Sequence, residues 1–520
     1  MSPSSSSTIS FQSWVVLIAI GLLIFLMNID YTAVNLTLVP ISEEINADLN
    51  SLQWLLSGYV LVWAAFVIPA GRVADIYGKR NTLIAGLVVF MLGSSLTGFG
   101  QSLEVLIMGR ILQGCGAAVF TSPAWASIFT LAPPQKQGFV MGIIVSFAGL
   151  GLAIGPTLAG FIIEEMSWRW IFYVNIPLGI FVIAILYLYS PKDLLEETRQ
   201  KIDFVGAFLL ASGLCTTVYA LNQIEVWGVT SSSFWGLISG GCLLIGLYIL
   251  RDRTQKVRMV PSHLFRNKPY MAATAGEFLM AMNFSMTLVL MGLYLQNTLH
   301  YSSYETGLIF ISMTITMGLL GPIGGKMVDM FGLKVPMVFG TLITTLAMGM
   351  MTFLTTESSL LYVATALFFA GMGLGSYFTA CNTAMMKSAP QGDLNVASGV
   401  YTMFMMLGNT LSIILSTSFV VFFGRIHLLQ NTERMNLSAE QHQDLVNIIS
   451  KVEHSMSQLS GFAPEQLPQL LNWVDEAFVY GLSFNMAMGT LLALTATGIT
   501  LWGMGDLKSS SSHAHAPVGA

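Results

Sequence analysis

The chain has 520 residues, of which 54% are hydrophobic and 9% charged, and its mean hydropathy is +0.70. Soluble domains carry about 25% charged residues, so the composition excludes an ordinary soluble protein and indicates one that crosses a membrane many times. The formal net charge is −5, without the basic excess typical of nucleic-acid binding, and we expect no nucleic-acid partner.

Fourteen apolar segments of about 20 residues each predict fourteen transmembrane helices. They lie near 14–38, 54–71, 81–100, 105–131, 138–163, 170–190, 203–222, 232–250, 270–297, 304–324, 335–355, 359–386, 397–424 and 476–503. All 22 lysines and arginines except Arg110 fall in the loops and tails, and most lie on the side of the N-terminus. The positive-inside rule then predicts that both termini lie in the cytoplasm. We expect the protein to reside in the cytoplasmic membrane.

The first span contains an acidic residue, Asp30. Asp30 follows the apolar run that begins at Trp14, and a carboxylate inside a membrane is costly unless it faces protein or water. Away from the ends of the predicted spans, the charged residues inside them are Asp30, Arg110 and Glu277. These are therefore candidates for a functional site.

The loop after the second span has the pattern of a charge latch. Asp75 and Lys79 are four residues apart with cations on either side, so a charge network can hold the cytoplasmic face, and the two glycines permit tight turns. The alternative is that these cations serve only to fix topology. A second loop, Gly325 to Lys334, has the same pattern and contributes the acid Asp329. The candidate latch residues are Gly71, Arg72, Asp75, Gly78, Lys79, Arg80 and Asp329.

That second copy reveals an internal repeat. Gly71 to Arg80 aligns without gaps on Gly325 to Lys334, an offset of 254 residues, although the first six spans end near residue 190. The surplus holds two extra spans, at 203–250, inserted between related halves at 14–190 and 270–504. Paired six-helix bundles with internal repeats are a transporter architecture, with the substrate site near the midplane. Leu333 replaces Lys79 in the second copy, which predicts a weaker latch there.

The fourth and fifth spans each contain a motif. Gly109 to Ala118 surrounds Arg110, which needs a partner in the membrane; a purely structural arginine bonded to backbone carbonyls is the alternative. Gly149 to Gly160 is a stripe of small residues that predicts close helix packing, with a proline that can bend the helix. Its key positions are Gly151, Gly155, Pro156 and Gly160.

These features resemble the major facilitator superfamily, and within it the fourteen-span drug:proton antiporter family, over about residues 12–505. Further matches are Asp30 to Pro40, the pair Trp54 and Tyr59, and Trp168 to Pro177, whose tryptophans we interpret as an interfacial belt. The resemblance implies an all-α fold of two six-helix bundles with two inserted helices, and alternating access held by the latch. It also implies proton coupling through Asp30 and Arg110, and export, since symporters usually lack the fifth-span motif.

The predicted function is proton-driven export of drugs or other amphipathic small molecules. A dedicated exporter of one metabolite, lipid or metal chelator is the alternative within the same fold. The chain is not predicted to be an enzyme, to bind a cofactor or a metal, or to use ATP, because it lacks HExxH, GxSxG and GxxxxGK motifs. Its four cysteines, Cys115, Cys215, Cys242 and Cys381, are scattered packing residues.

The candidate residues for a substrate cavity combine polar and aromatic side chains: Glu277, Asn35, Tyr59, Phe278 and Asn283. Glu277 is expected to recognise cations or to be a second proton site, opposite Asp30 across the cavity; bonding to a neighbouring helix for packing is the alternative. The remaining segments are tails at 1–13 and 505–520, a basic cytoplasmic linker at 251–269 and an extracytoplasmic loop at 425–475. That loop is either a docking site for a periplasmic adaptor or an ordered cap.

Overall fold

The structure, a computed structural model, describes residues 8–47, 49–191, 203–228, 230–255, 258–432 and 467–504, and within these ranges all regular structure is helical. Fourteen of the helices there are long and apolar enough to cross a membrane, which confirms the predicted fold class. They are α1 Phe11–Ile45, α2 Trp54–Tyr77, α3 Lys79–Phe99, α4 Leu103–Leu131, α5 Gln137–Glu165, α6 Arg169–Tyr189, α7 Phe204–Asn222, α8 Ser232–Asp252, α9 Lys268–Leu293, α10 Ser303–Phe331, α11 Lys334–Met351, α12 Leu360–Ser388, α13 Leu394–Thr432 and α14 Leu467–Gly503.

Several helices run past the predicted bounds of their spans. Helix α1 begins at Phe11, where Ser10 caps it by accepting a hydrogen bond from the Ser13 backbone N–H at 3.1 Å. Helices α13 and α14 take up both ends of the segment 425–475. Hydropathy marks only the apolar stretch, whereas backbone hydrogen bonding continues into the polar zone. The centre of that segment lies outside the described residues, as do the tail at 505–520 and residues 1–7.

The helices form two six-helix bundles whose packing follows the repeat. In the first bundle α4 packs against α2 and α3, and α1 against α5 and α6; α12 and α9 make the equivalent contacts in the second. Gly86 and Gly340 are 254 residues apart, and a Cβ at either would approach the backbone of the neighbouring helix to 2.7 Å. Both positions thus need glycine for the same close helix approach.

The two bundles meet through two equivalent helix pairs, α2 with α13 and α5 with α10. Close approaches in these pairs are again at glycines: a Cβ on Gly71 would lie 2.6 Å from the Asn395 carbonyl oxygen, and one on Gly142 would lie 2.2 Å from that of Gly321. Both approaches lie toward the end of the molecule where α2 passes into α3. This end, which also carries the starts of α5 and α13, is called the Asp75 side below; the sequence predicts that it is cytoplasmic.

The inserted helices α7 and α8 pack on each other, and α7 also packs on α2. Trp54 stacks on Tyr219 there, with ring centroids 5.4 Å apart. At the other end Arg251 Nη2 lies 2.8 Å from Asp203 Oδ1, and this guanidinium lowers the pKa of Asp203 below its ordinary value. The pair therefore joins the ends of α7 and α8 at neutral pH.

Candidate functional site

Asp30 lies in the core of the first bundle with 1% of its surface exposed. Its Oδ2 accepts a hydrogen bond from Arg110 Nη1 at 2.6 Å. Its Oδ1 accepts from Gln113 Nε2 at 3.2 Å and from Asn175 Nδ2 at 3.0 Å. One carboxylate of α1 therefore gathers polar side chains from α4 and α6.

Arg110 is completely buried and holds more than the acid. Its Nε donates to the Leu55 carbonyl oxygen at 2.8 Å, and Nη1 also donates to Gln113 Oε1 at 2.7 Å. The guanidinium lies 4.3 Å from the ring centroid of Tyr59, a distance at which a cation is attracted to an aromatic face. Arg110 therefore has both kinds of partner. The Leu55 carbonyl is the partner expected of a structural arginine, and the Asp30 carboxylate is the one expected of a functional arginine.

The network continues from Asp30 to a fourth helix, α3. Asn175 Nδ2 also donates to Ser94 Oγ at 2.8 Å, and Ser94 Oγ donates to the Phe172 carbonyl oxygen at 2.8 Å. Sequence reasoning overlooked Gln113, Asn175 and Ser94, although the first two lie inside recognised motifs. The signal was available, since an amide side chain inside an apolar span must find a partner.

The five candidate cavity residues do not form one cluster. Tyr59 is buried against Arg110 in the first bundle, whereas Asn35 is exposed and its Nδ2 lies 3.5 Å from the Thr32 carbonyl oxygen. Asn283 is buried with its Oδ1 directed at Gly489 of α14. Phe278 is half-buried and its backbone carbonyl packs on Gly408 of α13.

Glu277, the fifth candidate, is buried in the second bundle beside Cys381 of α12 and Tyr401 of α13. The hydrogen bonds to Asp30 in the described part of the chain all come from its own bundle, which gives no support to the expectation that the two acids face each other across the cavity. The repeat aligns Asp30 with Phe284, seven residues beyond Glu277, which is about 10 Å along a helix. Glu277 therefore lies nearer to the Asp75 side.

The latch motif joins the two bundles. Asp75 Oδ1 accepts a hydrogen bond from Asn395 Nδ2 at 2.5 Å, and Oδ2 lies 3.4 Å from the Val396 backbone nitrogen, which donates to it at the start of α13. Arg72 Nη1 lies 3.5 Å from Asp393 of the second bundle and 3.9 Å from Asp75.

The two cations that follow Asp75 contact the first bundle. Lys79 Nζ donates to Thr130 Oγ1 at 3.3 Å, and Arg80 Nη2 donates to the Tyr187 carbonyl oxygen at 2.5 Å. Gly78 has a φ of +92°, the left-handed region that favours glycine, at the turn between α2 and α3. Gly71 admits the α13 backbone, as described above. The residues that reach the second bundle in these contacts are thus Gly71, Arg72 and Asp75.

The second copy repeats the contact in the opposite direction. Asp329 of α10 accepts hydrogen bonds from the backbone N–H groups of Gly138 at 2.9 Å and Phe139 at 2.8 Å, at the start of α5. A carboxylate at a helix N-terminus is favourable because the first N–H groups have no partner within the helix. Leu333 is buried, and the hold of Asp329 needs no cation at that position, so a weaker latch does not follow from it.

The fifth-span motif packs partly as predicted. A Cβ on Gly151 would lie 2.6 Å from the Phe25 carbonyl oxygen, and one on Gly155 would lie 2.0 Å from Thr32 Oγ1, so both glycines admit α1 beside Asp30. Helix α5 continues through Pro156. Gly160 faces open space, and its predicted packing role is wrong because no described residue lies within 4 Å of a Cβ placed there.

Trp168 corrects a further interpretation, since it is 3% exposed and does not belong to an interfacial belt. Its Nε1 donates to Glu44 Oε2 at 2.7 Å, and Arg169 Nη1 pairs with the same carboxylate at 2.6 Å. Trp170 is 45% exposed, as the belt predicts. The buried tryptophan fixes the end of α1 to the start of α6.

Two repeated bundles, a charge pair buried in one of them, and interlocking contacts on one side define a polytopic transporter built on two related halves. The chain belongs to the Major Facilitator Superfamily, which residues 19–413 match. It is a multi-pass membrane transporter with multidrug exporters among its relatives.

Two relatives and one solved structure illustrate the likeness. The multidrug resistance protein Stp of Mycobacterium tuberculosis is 27% identical over 501 residues, which cover 95% of this chain and 93% of that protein. The tetracenomycin C resistance and export protein of Streptomyces glaucescens is 26% identical, covering 77% and 74%. The proton:xylose symporter XylE has a TM-score of 0.58 at 13% identity, covering 94% of this chain and 95% of XylE, and shows the fold alone.

Proposed function

We propose that this protein is a proton-coupled antiporter that exports amphipathic small molecules across the cytoplasmic membrane by alternating access. The observation that carries the proposal is the fully buried pair of Asp30 and Arg110, with Oδ2 and Nη1 2.6 Å apart. A carboxylate is the group that binds and releases a proton, and intramembrane acids mark proton relays in pumps and transporters.

The side chains around Asp30 can accommodate both its ionised form and its protonated form. In its ionised form it takes hydrogen bonds from Arg110, Gln113 and Asn175. When it is protonated, Arg110 loses its counter-charge but keeps the Leu55 carbonyl, the Gln113 amide oxygen and the Tyr59 ring as partners. Arg110 is therefore retained in place through a change in the charge of Asp30, as a reversible proton site requires.

The contacts on the Asp75 side support alternating access. Asp75 and Asp329 each hold the first residues of a helix in the opposite bundle, through charge-assisted hydrogen bonds that water can replace when the bundles separate. Two equivalent contacts make a closed state that can open as a unit. With the predicted orientation, this closed side is the cytoplasmic one.

The relatives named for multidrug resistance favour a broad range of amphipathic cargo. The relative named for tetracenomycin C export favours the alternative, a dedicated exporter of one compound. The breadth of cargo decides between the two.

The test is transport into inverted membrane vesicles with and without an imposed pH gradient. Ethidium serves as the cationic probe and chloramphenicol as the neutral one. We expect uptake of both probes to require a gradient that is acidic inside, and we expect Asp30→Asn to abolish this gradient-driven uptake. Asp203→Asn is the matched control, because it removes a carboxylate that lies at the end of α7. Gradient-driven uptake by Asp30→Asn at the normal rate would contradict the proposal.

A further inference from the structure

Glu277 is a buried carboxyl group for which the mechanism above has no use. It is 1% exposed, and its Oε2 has no hydrogen-bond partner in the described part of the chain. None of the ion pairs found there includes it. Asp30, at the same exposure, has an arginine and two amides, so the two acids differ in chemistry although both lie in spans.

The titratable groups that face Glu277 come from two helices. Tyr377 and Cys381 face it from α12, and Tyr401 faces it from α13. From α14, the third helix packed on α9, no titratable group of the described residues acts on it. All three neighbours are uncharged in their ordinary states at neutral pH.

The position is built for a hydroxyl group beside the acid. A Cβ at Gly276 would lie 2.1 Å from Tyr377 Oη, so glycine leaves the space that this hydroxyl occupies. Cys381 Sγ lies 3.5 Å from the same oxygen and donates to the Ala273 carbonyl oxygen at 3.2 Å. The polar groups are thus fixed in place, and none of them brings a positive charge.

A carboxylate without a counter-ion in such a place is unstable. Removing an ion from water costs several kcal/mol even after the protein relaxes, and in practice the group takes up a proton instead. In the conformation described, closed on the Asp75 side, Glu277 therefore holds its proton.

Opening of the bundles changes the cover over Glu277. Tyr401 lies six residues beyond Asn395 on α13, about 9 Å along the helix, and Asn395 is the residue that Asp75 holds. Between them, Gly399 packs on the Val67 carbonyl oxygen of α2. Opening of the latch as proposed above would separate this stretch of α13 from α2 and expose the α2-facing side of α13, near Tyr401, to water on the Asp75 side.

We propose that Glu277 is a second proton-carrying site, separate from Asp30, so that the bundles contribute one proton each to a transport cycle. The proposal rests on the proton antiport proposed above. On opening, the O–H bond of the carboxylic acid breaks; the proton passes to water on the Asp75 side, and the electron pair stays on the carboxylate. Once the Asp75 side has closed, the carboxylate takes up a proton from water on the opposite side of the membrane, so that one proton crosses through this site in each cycle.

The test is the limiting accumulation of ethidium in proteoliposomes with the membrane potential clamped at zero. Two protons per cation allow about a hundredfold accumulation for each pH unit, and one proton allows about tenfold, because the concentration ratio grows tenfold per proton and pH unit. We expect about a hundredfold for the natural protein and tenfold for Glu277→Gln. Glu305→Gln, which changes an exposed carboxylate at the start of α10, is the control and should retain the full ratio.

Each outcome decides between the two proposals. A hundredfold ratio in Glu277→Gln would overturn the second site while leaving antiport intact, and so would an unchanged proton ratio with weaker binding of ethidium alone. Absence of gradient-driven accumulation in the natural protein would contradict antiport itself.

A second measurement does not depend on whether the variant folds. Dicyclohexylcarbodiimide, which reacts with protonated carboxyl groups in apolar surroundings, should label Glu277 of the natural protein at pH 7, as read by peptide mass spectrometry. Labelling should slow as the pH rises. No label on Glu277 between pH 6 and pH 8 would overturn the assignment.

Discussion

At the scale of single residues, the buried charges were predictable but their partners were not. Asp30 and Arg110 stand out because charged residues inside spans are rare, and an acid and a base within one bundle are expected to pair. The amides of Gln113 and Asn175 depend on how α4 and α6 turn toward α1, which tertiary packing decides. Glu277 lacks a cation because neither α12 nor α13 places one beside it, a fact that no local pattern contains.

Arg110→Lys tests whether the shape of the guanidinium matters beyond its charge. A lysine keeps a positive charge but cannot bond Asp30, Gln113 and the Leu55 carbonyl in one planar geometry. We expect at least about a tenfold loss of pH-driven ethidium transport, since a hydrogen bond to a charged group contributes about 1.5–3 kcal/mol. Arg169→Lys, which alters the pair with Glu44, is the control and should stay within twofold. Equal rates for the two variants would show that charge alone suffices.

At the scale of helices, the glycine motif shows what a sequence pattern can and cannot predict. Close packing along α5 was predictable from the small residues, and Gly151 and Gly155 provide it against α1. A periodic stripe does not reveal where the neighbouring helix ends its contact, so Gly160 was assigned the same role although it faces open space. The motif thus supports the helix that carries Asp30, and only part of it is in contact.

Gly151→Ala and Gly160→Ala form a matched pair of variants on α5. A Cβ at residue 151 meets backbone of α1 and must push the helices apart, which costs about 1–3 kcal/mol. We expect a lower melting temperature and slower ethidium transport for Gly151→Ala, and natural values for Gly160→Ala. The motif has no packing role if the first variant melts and transports as the natural protein does.

Asp75→Asn tests whether the latch holds α2 against α13. Asp75→Asn removes the charge that strengthens the bonds to Asn395 and Val396, each worth about 1.5–3 kcal/mol, so the open state should gain about tenfold in population. The readout is maleimide labelling of Ser398→Cys, a residue buried on α13, after replacement of the four natural cysteines. Asp203→Asn is the control on the same side. Unchanged labelling would show that the loop between α2 and α3 does not act as a latch and serves only to fix topology.

At the scale of the whole molecule, spans and the repeat were enough to predict fourteen helices in two bundles with an inserted pair. Their exact ends were not predictable, because α13 and α14 continue into polar sequence that hydropathy scores as loop. The expectation of a facing pair of acids finds no support in the repeat, since Asp30 aligns with Phe284 and not with Glu277. The predicted domain bounds and orientation remain predictions.

Orientation can be tested with single cysteines in a cysteine-free background. Reagents that do not cross the membrane should label Arg253→Cys only from the cytoplasm and a cysteine in 433–466 only from outside, because lysines and arginines concentrate on the N-terminal side. The fourteen-span topology requires opposite sides for these positions. Labelling of both from one side would contradict it.

The most direct test of proton-coupled exchange compares two transport modes of Asp30→Asn in proteoliposomes. A permanently neutral side chain cannot carry a proton, but it leaves the bundles free to alternate with cargo bound. We predict that exchange of labelled for unlabelled ethidium continues in this variant, while net transport driven by a pH gradient is lost. Net pH-driven transport at the natural rate would contradict the account, because Asp30 would then not be the group that couples proton movement to export.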